Sequence, residues 1–378
     1  MVVANNPAGA GMKICFLGLD NLPALAQEFG HLGVGGEQVQ QALLAKALVS
    51  RGHSASMIVL DYGQNSIANY HGVTVFKTFR PSAGLPVLRF VYPRWVKIWS
   101  AMSAADADVY YVSCAGMHLG LAAIFCKRHN RKLVFRVAHD HDCEPEFLLV
   151  KYRRDKLLYE FGVRHANAIL VQTAKQQIRL NRNYHRIGKI AGMLVERPLA
   201  MPPRTVDVLW VNNIRPFKRP DIFLELARSM PDLRFQMVGG PQPGHEALFD
   251  AIQKKALLIP NLEFCGHVPY HSMDSYYSSA RIFVNTSESE GFPNSYLQSW
   301  VRGTPVIAFF DPDAIIERFL LGQVVASIDS MRVAVRSMIS DNFLRDDYGK
   351  KCLSYMEDHY SEQAVAALYI DQFEELLR

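Results

Sequence analysis

Residues 287–309 read SESEGFPNSYLQSWVRGTPVIAF, and this stretch decides the fold. The apolar run just before it, 281–285, reads as a buried strand. Residues 294–301 place apolar side chains at helical spacing, and 305–309 is a second apolar strand. Strand, helix and strand in so short a span make a parallel unit, because parallel neighbours need a crossover. Glu290-Gly291-Phe292-Pro293 is then a constrained loop leaving the first strand. Asn294 reads as the helix N-cap, which leaves the N–H groups of Ser295, Tyr296 and Leu297 to hold an anion. Glu290 precedes the helix, and Gln298 lies one turn inside it. Two acceptors flanking a helix tip suit hydroxyl groups on either side of a bound phosphate, the outline of a nucleotide sugar.

The alternation extends to both sides of this stretch. Strands are expected over 13–18, 54–60, 108–112, 132–138 and 168–171, and helices over 37–50, 117–129 and 151–166. Pro198, Pro202 and Pro203 interrupt it. Strands over 206–211 and 234–238, a helix over 221–229 and a closing amphipathic helix over 361–377 follow. The expected class is α/β, with two Rossmann-like doubly wound domains facing each other across a cleft. The first takes residues 1–197, a hinge 198–205, the second 206–358, and the closing helix 359–378. Ligands in such sheets sit beyond the carboxyl ends of the strands, so the loops there are the candidate site.

Of the 378 residues, 49% are hydrophobic and 20% charged, a composition able to bury sizeable cores. No apolar run reaches the length of a membrane-spanning helix. Residues 1–11 lack the basic start and apolar stretch of a secretory signal. The six cysteines form no C-x-x-C pair, which argues against a zinc knuckle and for a reducing, cytoplasmic setting. The net charge of +5 hides a division: 24 Lys and Arg face 13 Asp and Glu through Arg197, and 17 face 23 beyond it. A basic front half suits an anionic surface or simply a solvated face. Residues 79–102 interleave Arg80, Arg89, Arg94 and Lys97 with Tyr92, Trp95 and Trp99, the composition of a membrane-interface segment, or of a core helix with solvated arginines. Lys151, Arg153, Arg154 and Lys156 form a second basic run. No nucleic-acid-binding motif accompanies them.

Three further strand ends carry chemistry. Gly33-Val34-Gly35-Gly36 lies between the first strand and its helix, where glycines let backbone approach a phosphate. It matches neither dinucleotide fingerprint nor P-loop. His139-Asp140-His141-Asp142 follows the strand LVFRVA. Its spacing fits no zinc motif, and a sugar- or base-contacting His139 supported by carboxylates is the stronger reading. Asn213, Arg215 and Lys218 follow the strand DVLWV, where cations beside a helix start make an anion site.

Glu290, Gly291, Phe292, Pro293, Asn294 and Leu297, then Gly303, Pro305 and Val306, resemble the signature of the retaining glycosyltransferases of family 4, which have the GT-B fold. The resemblance runs through VLWVNNIRPFKRPDIFLELARSMPDLRFQMVGGP and MKICFLG to nearly the whole chain. It implies that Glu290 grips hydroxyls of the transferred sugar, with backbone N–H groups near Gly291 and Phe292 assisting. It implies that His139 contacts the sugar near the reacting carbon and that Gly35 and Gly36 approach the diphosphate. Lys218 would neutralise the leaving diphosphate, and the base would lie near Gly266, His267 and Val268. The closing helix would brace the first domain.

In this picture a hexose moves, with retention, from a UDP- or GDP-linked donor to a glycan acceptor, lipid-linked, in polysaccharide biosynthesis. No metal or other cofactor takes part. The enzyme would work in the cytoplasm or on the cytoplasmic face of an anionic membrane. Two positions depart from the pattern. The second motif Glu is Gln298, a hydrogen-bonding group without charge. A family Arg five residues before the Lys is Asn213, with Arg215 two residues on as a substitute. These departures keep a second reading open, a catalytically silent nucleotide-sugar-binding protein of a glycan-assembly complex. A third is an epimerase or phosphorylase of the same fold.

Overall fold

The computed structural model describes residues 11–86, 88–198 and 200–378. The chain forms two compact units. The first comprises residues up to Phe29, Glu37–Leu194 and Glu362–Arg378, and the second Gly30–Gly36 and Val195–Ser361. The glycine-rich segment thus groups with the second unit although its neighbours on both sides in sequence belong to the first.

The first unit is built on strands β1 (Lys13–Leu17), β2 (Ser54–Val59), β3 (Ile67–Tyr70), β4 (Val73–Lys77), β5 (Val109–Ser113), β6 (Lys132–Arg136), β7 (Ala168–Val171) and β8 (Lys189–Ile190). Their order in the sheet is β3-β4-β2-β1-β5-β6-β7-β8. Every pairing is parallel except β3 with β4. Helices cover both faces of a parallel sheet, so its central strands are buried along their length, as the unbroken run VYYVS of β5 shows, while β3 and β8 at the sheet edges stay exposed. Helix Glu362–Leu377 packs into this unit. Its Tyr369 is buried, takes a 2.8 Å hydrogen bond from the Arg136 guanidinium at the end of β6, and donates one of 2.9 Å to the Gly192 carbonyl.

The second unit holds β9 (Val206–Val211), β10 (Phe235–Val238), β11 (Leu262–Gly266), β12 (Ala280–Asn285), β13 (Val306–Ala308) and β14 (Gly322–Val324), in the all-parallel order β11-β10-β9-β12-β13-β14. Its core joins Val208 and Trp210 to Phe223, Phe235, Ile282 and Val284. Strand order reverses between β9 and β12, which pair with Val208 opposite Ile282. Chains leaving these two strands diverge to opposite sides, and the crevice between them is where a doubly wound sheet takes its ligand.

The hairpin β3–β4 and the strands β8, β11 and β14 were absent from the sequence reading. Each is short or lies toward a sheet edge, where alternation and length signals fade.

Candidate functional site

Lys218 follows β9 and Glu290 follows β12, so the strand-order reversal of the second unit brings them to one place. Lys218 sits at the end of a helical turn, Pro216–Lys218, which the left-handed Arg219 (φ 49°) separates from helix Pro220–Ser229. A hydrogen-bond chain fixes the turn. Trp210 Nε1, on β9, donates to Thr286 Oγ1 at 2.9 Å, and Thr286 Oγ1 donates to the Lys218 carbonyl at 2.7 Å. Glu288 N–H donates to the Phe217 carbonyl at 3.1 Å. The loops after β9 and β12 are thereby held as one body.

Lys218 Nζ lies 2.5 Å from Glu290 Oε2, and both side chains are nearly enclosed. The other carboxylate oxygen, Oε1, accepts from Ser287 Oγ at 2.6 Å and Asn285 Nδ2 at 3.3 Å. Burial alone would raise the Glu290 pKa. The Lys218 charge and the bonds from Lys218, Ser287 and Asn285 outweigh it and hold the carboxyl below its ordinary value. Tyr296, fully buried, takes a 3.4 Å bond from Asn285 Nδ2 and donates to the Phe310 carbonyl at 2.9 Å. Asn285 therefore aligns Glu290 and Tyr296 together. Neither it nor Ser287 was singled out from sequence, although both flank the signature.

The helix of the signature runs Asn294–Trp300, seven residues. Asn294 is its first residue and not its cap. Pro293, in extended conformation (φ −69°, ψ 122°), precedes the helix, and its carbonyl accepts the Tyr296 N–H at 3.1 Å. The Tyr296 amide is thus already bonded, contrary to the expectation that it is open to an anion. Gly291, Phe292, Pro293 and Leu297 are buried, and Ser295 is half-buried. The Phe292 ring packs against Trp300 and Tyr360, so this residue serves the core with its side chain.

Gln298 has a partner that sequence reasoning missed. Arg302, one helical turn on and almost wholly buried, donates to Gln298 Oε1 at 2.9 Å and to the Gln298 carbonyl at 2.7 Å. The same guanidinium meets Asp274 at 2.5 Å and Ser278 Oγ at 3.1 Å. The Gln298 oxygen is thus engaged inside the protein, and its amide NH2 is the polar edge it can offer a ligand. A lone Arg in the apolar run SWVRGTPV was the available signal.

Arg215 Nη2 bonds Gln242 Oε1 at 2.7 Å, and Asn213 is half-buried at the end of β9. His267 and Val268 follow β11. His267 lies 3.4 Å from the Gly30 carbonyl, and a Cβ on Gly33 would meet its ring at 3.7 Å. A Cβ on Gly36 would come within 2.1 Å of Asn294 Nδ2. The glycine segment, Gly35 included, therefore belongs with His267 and the signature helix within the second unit.

His139 lies in the first unit, after β6. Its Nδ1 accepts the His141 N–H at 3.2 Å, which leaves Nε2 as the protonated nitrogen of the neutral ring. The two imidazoles stack at 4.7 Å. Asp142 Oδ2 accepts the N–H groups of Ala138 and His139 at 2.9 and 3.0 Å, and burial lifts its carboxyl to about 6 against those bonds. Asp140 is taken by Lys175, Arg179 and Gln176. Among the described residues no group of three or more His, Cys, Asp or Glu side chains is arranged to hold a metal ion.

Two family models match the chain, the glycosyl transferase 4-like domain over residues 35–191 and the glycosyl transferases group 1 over 196–351. The chain belongs to the family-4 glycosyltransferases. The fold of this family-4 chain is GT-B. It superposes on sucrose-phosphate synthase from Thermosynechococcus elongatus with a TM-score of 0.77, at 15% identity, covering 96% of this chain and 98% of that one. Anabaena HepE, in complex with UDP and glucose, gives 0.72 at 14% identity, covering 96% and 100%. Among curated proteins, the D-inositol 3-phosphate glycosyltransferase of Mycobacterium sp. (strain KMS) is 32% identical over 113 residues, 29% of this chain and 26% of its own length. The matched stretch thus spans about a quarter of that relative.

Proposed function

We propose that the protein is a retaining hexosyltransferase that moves a sugar from a UDP- or GDP-linked donor to a lipid-linked glycan acceptor, without a metal ion. The observation that carries this reading is the enclosed Lys218–Glu290 pair at the strand-order reversal of the second unit. The two charges satisfy each other. A donor offers each a new partner: phosphate oxygens for the ammonium, sugar hydroxyls for the carboxylate. HepE, a protein of the same fold, carries UDP and glucose, the ligand pair this arrangement suits.

The chemistry would run as follows. The acceptor hydroxyl oxygen forms a bond to the anomeric carbon as the bond from that carbon to the phosphate oxygen breaks. The acceptor's proton passes to the leaving phosphate. Negative charge grows on the diphosphate, and a preorganised Lys218 meets it where water is scarce, so its stabilisation exceeds what a solvated cation gives. Glu290 orients the sugar through its hydroxyls. Gln298 would read the ribose through its amide NH2.

The test is release of nucleoside diphosphate from UDP-glucose, UDP-N-acetylglucosamine, GDP-mannose and related donors, with and without lipid extracts as acceptor. Release stimulated by acceptor, and abolished by Lys218→Ala, is expected. The engagement of Gln298 by Arg302, together with Asn213, favours one competing reading, a silent binding protein. Tight donor binding with no turnover on any donor would establish that alternative.

A further inference from the structure

We infer that the first unit docks onto an anionic phospholipid bilayer through one face made by the chain after β4 and the chain after β6. These strands run parallel in one sheet, so both connections leave from the same edge. From residue 62 to residue 105 the sequence holds no Asp or Glu, while Arg80, Arg89, Arg94 and Lys97 fall within it. In the same stretch Leu85, Leu88, Val91, Tyr92 and Val96 are at least 45% exposed. After β6, Phe147, Leu149, Tyr152 and Leu157 are exposed to a similar degree, beside Lys151 and Arg153.

The two stretches meet at Arg154. Its guanidinium lies 3.7 Å from the centre of the Phe90 ring and 5.5 Å from that of Tyr152. Among the described residues, nine of the 21 exposed large apolar side chains thus fall in two short segments joined by one cation. Scattered surface leucines are ordinary, but a concentration interleaved with cations is not. The tryptophans do not belong to this face. Trp99 stacks on Phe125 at 5.0 Å, and Trp95 packs against the core. Ile98, Ala101 and Met102 likewise bury helix Val96–Ala105, so the helix is anchored and presents Val96 and Lys97 at its start.

A bilayer is the occupant this chemistry fits. Apolar side chains enter the acyl boundary while Lys and Arg stay at the phosphate level, and each cation near an anionic surface strengthens partitioning by roughly fivefold. A protein partner would favour an apolar centre poor in Lys with charges at the rim. The docking supplies the surface at which a lipid-linked acceptor would be met, and rests on the proposed function for that purpose alone.

The experiment is flotation of the full chain, with no donor present, on phosphatidylcholine vesicles and on vesicles that also contain phosphatidylglycerol. Flotation with the anionic vesicles only, reversed by raised salt, is expected. The variant Leu88→Ser/Val91→Ser/Phe147→Ser and the variant Arg94→Glu/Lys97→Glu/Lys151→Glu should each lose at least tenfold in binding, with unchanged circular dichroism. Lys254→Glu/Lys255→Glu, in the other unit, should bind as wild type. No flotation on anionic vesicles, or flotation that both triple variants retain in full, would overturn the inference. Because no donor is present, either result leaves the transferase reading to its own assay.

Discussion

Replacing Lys218 by Met removes the cation beside Glu290 while keeping most of the side chain's length. With 12% and 14% of their side chains exposed, Lys218 and Glu290 form an enclosed pair, unlike the surface bridges that contribute little. Breaking a buried pair by removing one partner costs about 3–5 kcal/mol. Ser287 and Asn285 still bond Glu290 Oε1, so we expect a loss nearer about 2–3 kcal/mol for Lys218→Met. Adding Glu290→Gln should restore most of it, a coupling of about 2 kcal/mol in the double-mutant cycle. The pH dependence should also change sign. In the wild type the folded Glu290 pKa lies below 4.5, so its contribution is full above 4.5 and lost as pH falls through the folded value. Without Lys218, burial dominates and the folded value moves above 4.5. The contribution is then present below 4.5 and lost as pH rises through the new value. Urea unfolding followed by fluorescence of the buried Trp210 and Trp300 reads both effects. A coupling under about 0.5 kcal/mol, within the scatter of independent sites, would refute the argument. So would parallel pH profiles for the wild type and Lys218→Met.

Other perturbations probe other parts. Asp142→Asn keeps an acceptor for the Ala138 and His139 amides but removes a carboxyl whose folded value near 6 exceeds 3.8. Wild-type stability should fall by up to about 3 kcal/mol between pH 3.8 and about 6 on this account, and the variant should lack that component in a pH series of melts. Arg302→Met strips Gln298 and Asp274 of their partner. Loss of about 2 kcal/mol or more, with weaker UDP binding by calorimetry, is expected, whereas an unchanged dissociation constant would detach Gln298 from the nucleotide. Gly36→Ala places a Cβ against the Asn294 side-chain amide, which can swing away. Little change in stability but weaker nucleotide binding should result, and equal affinity would remove this segment from the site.

Much of the alternation was legible because long buried strands and amphipathic helices repeat the period of their own geometry. Helix Met117–His129 and strands Ala168–Val171 and Val206–Val211 lie where the residues placed them. The signature loop brought Glu290 forward, and the strand-end rule brought Lys218, but nothing in sequence spacing says that the two make an ion pair 72 residues apart. That follows from which strands become neighbours at the reversal. The capping error at Asn294 has a local cause: Asn is a common cap, yet a preceding Pro fixed in extended geometry already supplies the last non-helical position. Arg302 escaped notice because a buried guanidinium shows itself only through its partners, Asp274 and Ser278, which come from a different helix.

The Arg136–Tyr369 bond has a bearing on biogenesis. Helix Glu362–Leu377 leaves the ribosome only after every strand of the other unit has been synthesised, yet its hydroxyl is what Arg136 Nη1 meets in the interior. Within the amino-terminal half Arg136 has Tyr111 and Glu37 beside it, so the nascent half holds this charge with only part of its partners until residue 369 has left the ribosome. Chaperone dependence should accordingly track that interval, and stop codons placed just upstream of the helix should yield aggregates of the half that is already complete in sequence.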